Sequence, residues 1–207
     1  MSLYDAGEAA AEQAYQEFLY EQRRKKAMST KVITGKVRFS FVNIFKARSI
    51  QDGQEAKFSI CLLIPKDDKA TIKKIKAAID EAVQDGITSQ WGGKKPANLK
   101  LPLRDGDTEK DAPEFEGMYF LNASSKRKPG IVDKDLIEIL DPDEVYSGSW
   151  GRASINFYPF NRNGNKGVGV GLNNVQKLRD DTRLGGSYAT AEDDFGDGFE
   201  EDDLEDF

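Results

Sequence analysis

Apolar and polar residues alternate along KVITGKVRFSFVNIFK, residues 31–46. A period of two marks a half-buried strand. The odd positions Ile33, Val37, Phe39, Phe41 and Phe45 are predicted to face a core. The even positions Thr34, Lys36, Arg38 and Ser40 form a polar, positive face. After a turn at ARSIQDGQEAK, the run KFSICLLI predicts a second strand with Lys57 and Ser59 on the side away from the core. The period then lengthens. In PKDDKATIKKIKAAIDEAVQDG, residues 65–86, Ile72, Ile75, Ile79 and Val83 recur at helical spacing. Asp67 or Asp68 is the expected cap, and Gly86 the expected end.

Residues 86–116 are irregular, with much Gly, Pro and charge. MYFLNAS (118–124) predicts a third strand, followed by the basic turn KRKPG and, over 131–145, a short apolar element with an acidic DPDE turn. The fourth strand is SWGRASINFYPF (149–160). Its even side offers Trp150, Arg152, Ser154, Asn156, Tyr158 and Phe160, and its odd side Ala153, Ile155 and Phe157. NRNGNK is a hairpin loop, and GVGVGL (167–172) returns with Val168, Val170 and Leu172 toward the core. Gly167, Gly169 and Gly171 occupy the opposite face. Glycine weakens a strand, so a stripe of it marks a bend or the close approach of another backbone.

Upstream, residues 4–26 read as a helix with acids at its start, RRKK at its end and a narrow apolar stripe of Ala11, Tyr15, Phe18 and Leu19. Met28 after it resembles a second translation start. The helix is therefore an extension before the ordinary domain, or a segment that docks on a neighbouring subunit. Together these elements predict a mainly β chain: an OB-like, five-stranded, partly open barrel with an inserted amphipathic helix. An N-terminal helix and a disordered acidic C-terminal tail flank it, and a β-sandwich is the alternative. The expected divisions are 1–27 for the helical extension, 28–184 for the binding domain, and 185–207 for linker and tail.

Charge sharpens this picture. The chain carries 30 Lys and Arg against 36 Asp and Glu. Ten of those acids lie in residues 191–207, which contain no base. Residues 28–190 keep 26 bases against 21 acids, so the body is mildly basic and the tail supplies the acidity. That asymmetry suggests a polyanion-binding body with an acidic appendage. The absence of histidine removes the usual neutral-pH general base and the commonest zinc ligand. No metal or cofactor is expected. GVGVG lacks the third glycine and the following helix of a dinucleotide fingerprint. Cys61 is single, so it forms no internal disulfide and reads as a buried thiol in a reducing, cytoplasmic setting. No run approaches the roughly 18 apolar residues of a membrane span.

The outward strand faces present Lys36, Arg38, Lys57 and Arg152 with Trp150 and Tyr158 interleaved. The loops add Trp91, Lys94, Lys95, Lys126, Arg127, Lys128, Arg162 and Lys166. Cations that track phosphates, with rings on which bases stack, suit sequence-independent binding of single strands. A lysine–arginine pair on an exposed strand is also a common solvated edge device.

At this point KVITGKVRFSFVNIF, the block FYPFNRNGNKGVGVGLNNVQKLRDDTRLGG and the acidic end together resemble a family of bacteriophage single-stranded-DNA-binding proteins of OB fold. The resemblance spans about Thr30–Gly186 plus the tail and is most specific over Asn156–Arg183. It implies protection of single strands during phage DNA replication and recombination, in the cytoplasm of an infected bacterial host. The ending EDDLEDF is similar in kind to the tails of bacterial and phage single-strand-binding proteins. The similarity implies that Asp202, Asp203, Leu204, Glu205, Asp206 and Phe207 contact replication or recombination partners. A tethered polyanion is also a competitor for the basic groove. Homo-oligomers are a further expectation. Two rival readings have other chemistries: a metal-dependent nuclease using carboxylates of the 105–116 loop, and an acidic-tailed assembly or chaperone protein.

Overall fold

The computed structural model describes residues 11–21, 30–49, 53 and 55–185. The tail from Asp202 to Phe207 and the RRKK run lie outside the described residues. Helix α1 covers 11–21. The strands are β1 (Lys31–Ile33), β2 (Val37–Arg48), β3 (Lys57–Pro65), β4 (Arg104–Asp105), β5 (Met118–Ser125), β6 (Gly130–Val132), β7 (Trp150–Arg162) and β8 (Asn165–Arg179). Helix α2 (Lys69–Ser89) joins β3 to β4, and a single turn, α3 (Gly106–Glu109), follows β4.

Five long strands make a ring. β2 pairs with β3, β3 with β5 and β7 with β8, each over many residues, while β2 touches β7 at Val37↔Gly151 and Arg38↔Trp150. The ring closes between β5 and β8 through one parallel pair, Ser124↔Gly171. This is a partly open OB-like barrel, as the alternation predicts. The turn between β7 and β8 follows from Asn163-Gly164, whose φ values of 48° and 78° suit the two-residue turn that matches strand twist.

Inside the barrel, Val168, Val170 and Leu172 of β8 meet Ala153, Ile155 and Phe157 of β7. One face of α2 covers the barrel with Ile72, Ile75, Ile79 and Val83, the predicted stripe. Asp68 caps the helix, its carboxylate accepting the Thr71 N–H at 3.0 Å. The other face of β3 is also covered: Cys61 and Leu63 pack with Phe115 and Phe120. Burial pushes the Cys61 thiol up to about 12, an inert structural thiol as expected.

Three expectations are corrected. Phe41 is not a core residue. The β2–β3 register slips between Ser40 and Asn43, Phe41 takes φ 48°, and its ring is 63 % exposed, while Ser40 and Ile44 are buried. A bulge reverses the parity of every residue after it. Ile33 is also exposed, because β1 is a separate strand that turns in Val32 and Thr34, whose hydroxyl accepts the Ala153 N–H at 3.0 Å. Gly86 does not end α2, which continues to Ser89. A Cβ at Gly86 would lie 2.5 Å from the Trp91 ring, so this glycine makes room for a folded-back tryptophan.

Candidate nucleic-acid interface

The gap between β5 and β8 is a cleft of about 480 Å³, lined by Lys57, Asn122, Ser124, Tyr158, Phe160 and Arg162 among others. Its geometry comes from the hairpin. Tyr158 pairs with Gly169, Phe160 with Gly167 and Asn156 with Gly171. A Cβ at Gly169 would sit 2.6 Å from the Tyr158 ring, and one at Gly167 would sit 2.8 Å from the Phe160 ring. The glycine stripe is thus a berth in which side chains of β7 lie flat across β8. At Gly167 a second backbone also closes in, with the Lys100 carbonyl 2.5 Å from such a Cβ. Tyr158 remains 43 % exposed, with a ring face open to the cleft.

Cations gather at the mouth. Lys126 pairs with Glu55 at 2.7 Å. That hydrogen bond is the main reason the Glu55 carboxyl is held below its ordinary range, and the charges of Lys126, Lys57 and Arg162 add to it. One exposed carboxylate therefore stands among three cations. Next to this mouth lies a second cleft, about 410 Å³, with Phe41, Asn43, Ser59, Arg104 and Lys110 in its lining. The two clefts share Asn122 and Ser124, so they form one continuous trough. The Arg104 guanidinium lies 4.7 Å over Phe120 and pairs with Glu109, while Lys110 sits 5.6 Å over Phe115. Phe41, Arg104, Lys110 and Asn122 were absent from the sequence-based set. The bulge brings Phe41 to the trough and the fold-back of the 104–116 segment brings Arg104 and Lys110, while Asn122 reaches it from β5, opposite Cys61 in the ladder with β3.

The remaining predicted residues divide. Lys36, Lys94, Lys95, Arg127 and Lys128 are exposed on turns, with Lys128 lying 5.9 Å over Phe45. Lys166, near the hairpin tip, pairs across the ladder with Asn161. Trp91 is corrected: it is 5 % exposed and donates its indole N–H to the Phe160 carbonyl at 3.1 Å. It supports the cleft wall from behind and offers no face for stacking.

Arg38, Trp150 and Arg152 each donate to a partner within the fold, and Arg152 does so through Nε alone and stays exposed. Arg38 donates to the carbonyls of Gly148 and Thr182, and Arg152 donates to that of Thr34. Trp150 donates to the Asp181 carboxylate at 2.7 Å beneath the Arg179 guanidinium. Three of the six carboxylates of the 105–116 loop are similarly engaged: Asp105 and Asp107 with Lys66, and Glu109 with Arg104. Among the described residues, no group of three or more Cys, Asp or Glu side chains could hold a metal ion. No helix among them is long and apolar enough to cross a membrane.

A five-stranded barrel with a trough across its open seam is the architecture of an oligonucleotide-binding module. The chain belongs to the family described as Enterobacter phage Enc34, ssDNA-binding protein, whose model matches residues 30–207. The single-stranded DNA-binding protein from bacteriophage Enc34, solved in complex with ssDNA, is similar at 31 % identity and a TM-score of 0.68, over 76 % of this chain and 90 % of that one. A protein designated p50 of Acyrthosiphon pisum secondary endosymbiont phage 1 is 31 % identical over 173 residues, 78 % of this chain and 91 % of its own length. The gp2.5 single-stranded DNA binding protein of bacteriophage T7 shares the fold, with a TM-score of 0.55 at 16 % identity over 83 % of this chain and 95 % of that one.

Proposed function

We infer that this protein binds single-stranded DNA without marked sequence preference and acts by coating it rather than by cutting it. The observation that carries this reading is the berth of Tyr158 and Phe160 over Gly169 and Gly167, with Lys57, Lys126 and Arg162 at the same mouth. Bases stack on the open ring face and phosphates follow the cations. The strand continues over Asn122 and Ser124 toward Phe41. Membership of the Enc34 family and likeness to a relative solved with ssDNA support it. Lysine and arginine partners hold Asp105, Asp107 and Glu109, and among the described residues no three carboxylates of the 105–116 loop gather as a metal cage, which speaks against the nuclease reading.

In this reading residues 28–184 are the binding domain and residues 185–207 a linker and tail. The tail's ten carboxylates compete with DNA for the trough, and Leu204 and Phe207 offer apolar anchors to replication or recombination proteins. The setting is the cytoplasm of an infected bacterium. Titration of labelled oligo(dT) and of a duplex of equal length, at two salt concentrations, tests the core of the proposal. Single strands should bind tighter, with a log–log salt slope of about −0.7 per neutralised phosphate. Equal affinity for duplex would sink it, and so would shortening of labelled single strands in Mg²⁺. Deleting residues 191–207 should tighten binding most at low salt and abolish capture of the partner protein.

A further inference from the structure

Of the three phenylalanines of β2, Phe39 is buried, Phe45 is half-buried and Phe41 is 63 % exposed. The backbone of Phe41 is as unusual as its exposure. At φ 48° it stands in the left-handed region, where a bulky side chain crowds its own backbone and glycine does not. The bulge that imposes this conformation is braced on both sides. Asn43 donates its side-chain amide to the Phe41 carbonyl at 3.2 Å, and the Ser147 hydroxyl accepts the Val42 N–H at 3.3 Å. Glycine would suit this backbone, yet a phenylalanine stands there with its ring outside the core. Strain of that kind is found where the direction of a side chain serves a ligand.

The ring borders the cleft of about 410 Å³, whose lining contains Arg104 and Lys110 and no carboxylate. Both cations are exposed, and each is seated over a phenylalanine ring, Arg104 over Phe120 and Lys110 over Phe115. The ladder ties this cleft to the one at Tyr158. Asn43 pairs with Ser59, Ser59 with Ser124 and Ser124 with Gly171, so one row of small and polar residues crosses four strands. Phe41 sits beside Asn43 at one end of the row. Tyr158 lies over Gly169, two residues along β8 from the other end. From β8 to β2 is three interstrand steps of about 4.8 Å, or about 14 Å. At about 3.4 Å per stacked nucleotide, that distance is a run of about four nucleotides.

We propose that Phe41 is a second base-stacking platform of the trough, holding the far end of a single strand whose near end stacks on Tyr158, with Arg104 and Lys110 taking the phosphates beside it. This rests on the single-strand reading and sets the extent of the grip: two rings, each taking a different nucleotide.

The test measures the full-length protein against an oligo(dT) of about ten nucleotides, inside the range of roughly 4–16 for one OB fold. Phe41→Ala should weaken binding by about fivefold to a hundredfold, the range of one lost stack, and Phe41→Trp should restore most of the loss. Phe41→Gly separates binding from folding. Its affinity should fall as for alanine, while its melting temperature stays at or above the parent's. A ring that served the fold would give the reverse, a lower melting temperature at unchanged affinity, and that result overturns the proposal. Ultraviolet cross-linking of oligo(dT) carrying 5-iodouracil at each position in turn reads the contact directly. Cross-links should map to Phe41 and to Tyr158 from positions about four nucleotides apart. Cross-links to Tyr158 with none to Phe41 overturn the proposal, and so does an affinity that Tyr158→Ala lowers and Phe41→Ala does not. In both cases the single-strand reading stands and the trough ends short of β2. Loss of self-association in Phe41→Ala at unchanged DNA affinity makes the ring a protein contact and is equally fatal. The single-strand reading itself fails on a different result, equal affinity of the parent for duplex.

Discussion

The two halves of β7 carry the same alternation and reach opposite ends. In the first half, Trp150 and Arg152 point outward, yet Trp150 bonds to Asp181 and lies under Arg179, while Arg152 bonds to Thr34. In the second half, Tyr158 and Phe160 point outward over bare glycine and face an open cleft. The difference lies in the partner strand. Opposite the first half, β8 presents Lys177 and Gln176 and leads into the 180–184 segment, which folds back over the aromatic ring. Opposite the second half, it presents Gly169 and Gly167. A ring and a cation on a strand face become a binding surface only when no neighbour has claimed them.

The largest test of this contrast is Gly169→Val. The added side chain displaces Tyr158 from its berth, and affinity for oligo(dT) should fall by about tenfold or more, given roughly 1–3 kcal/mol per stacked base. The melting temperature should hold, since valine suits a strand. Unchanged affinity would show that the berth is irrelevant to binding. Next come the two rings themselves. Tyr158→Ala should weaken binding by about 1–3 kcal/mol with little change in melting. Trp150→Ala should do the reverse, lowering stability by about 1 kcal/mol through the lost bond to Asp181. If Trp150→Ala weakens binding more than Tyr158→Ala does, the halves have been assigned the wrong way round.

A smaller effect separates the cations. Arg162→Ala should reduce the salt slope by about 0.7, one phosphate's share, while Arg38→Ala should leave the slope unchanged and lower the melting temperature. Measuring affinity at several salt concentrations checks both. The smallest effect is on pH. The Asp181 carboxyl is held below its ordinary range, first by the Thr182 N–H and then by Trp150. A depressed carboxylate stabilises the fold above its unfolded value, about 3.9, and loses that contribution as pH falls through the lower folded value. The parent's melting temperature should therefore fall more steeply below about pH 4 than that of Asp181→Asn. Parallel curves would remove Asp181 from the brace.

Much of this arrangement was legible as pattern. The parity of β7, the inward valines of β8, the helical stripe of α2 and the anomaly of three alternating glycines all follow from local spacing. What lies on those glycines does not, because it depends on the ladder that pairs Tyr158 with Gly169. Phe41 misleads because one bulge reverses parity, and a bulge leaves no mark in hydrophobicity alone. Trp91 misleads for another reason: its ring folds back onto Gly86, a contact made by the turn after the helix. Arg38 and Trp150 looked free because their partners, Thr182 and Asp181, lie far away along the chain.

The single bridge between β5 and β8 has a consequence for handling and storage. Strand edges with unpaired backbone groups invite strand addition from other molecules, the usual first step of sheet-mediated aggregation. Here the exposed edge is also the floor of the trough. In the proposed reading a bound nucleic acid covers it, so the vulnerable form is the empty one, and a short oligonucleotide in the buffer should keep concentrated protein clear where the bare protein turns cloudy on warming.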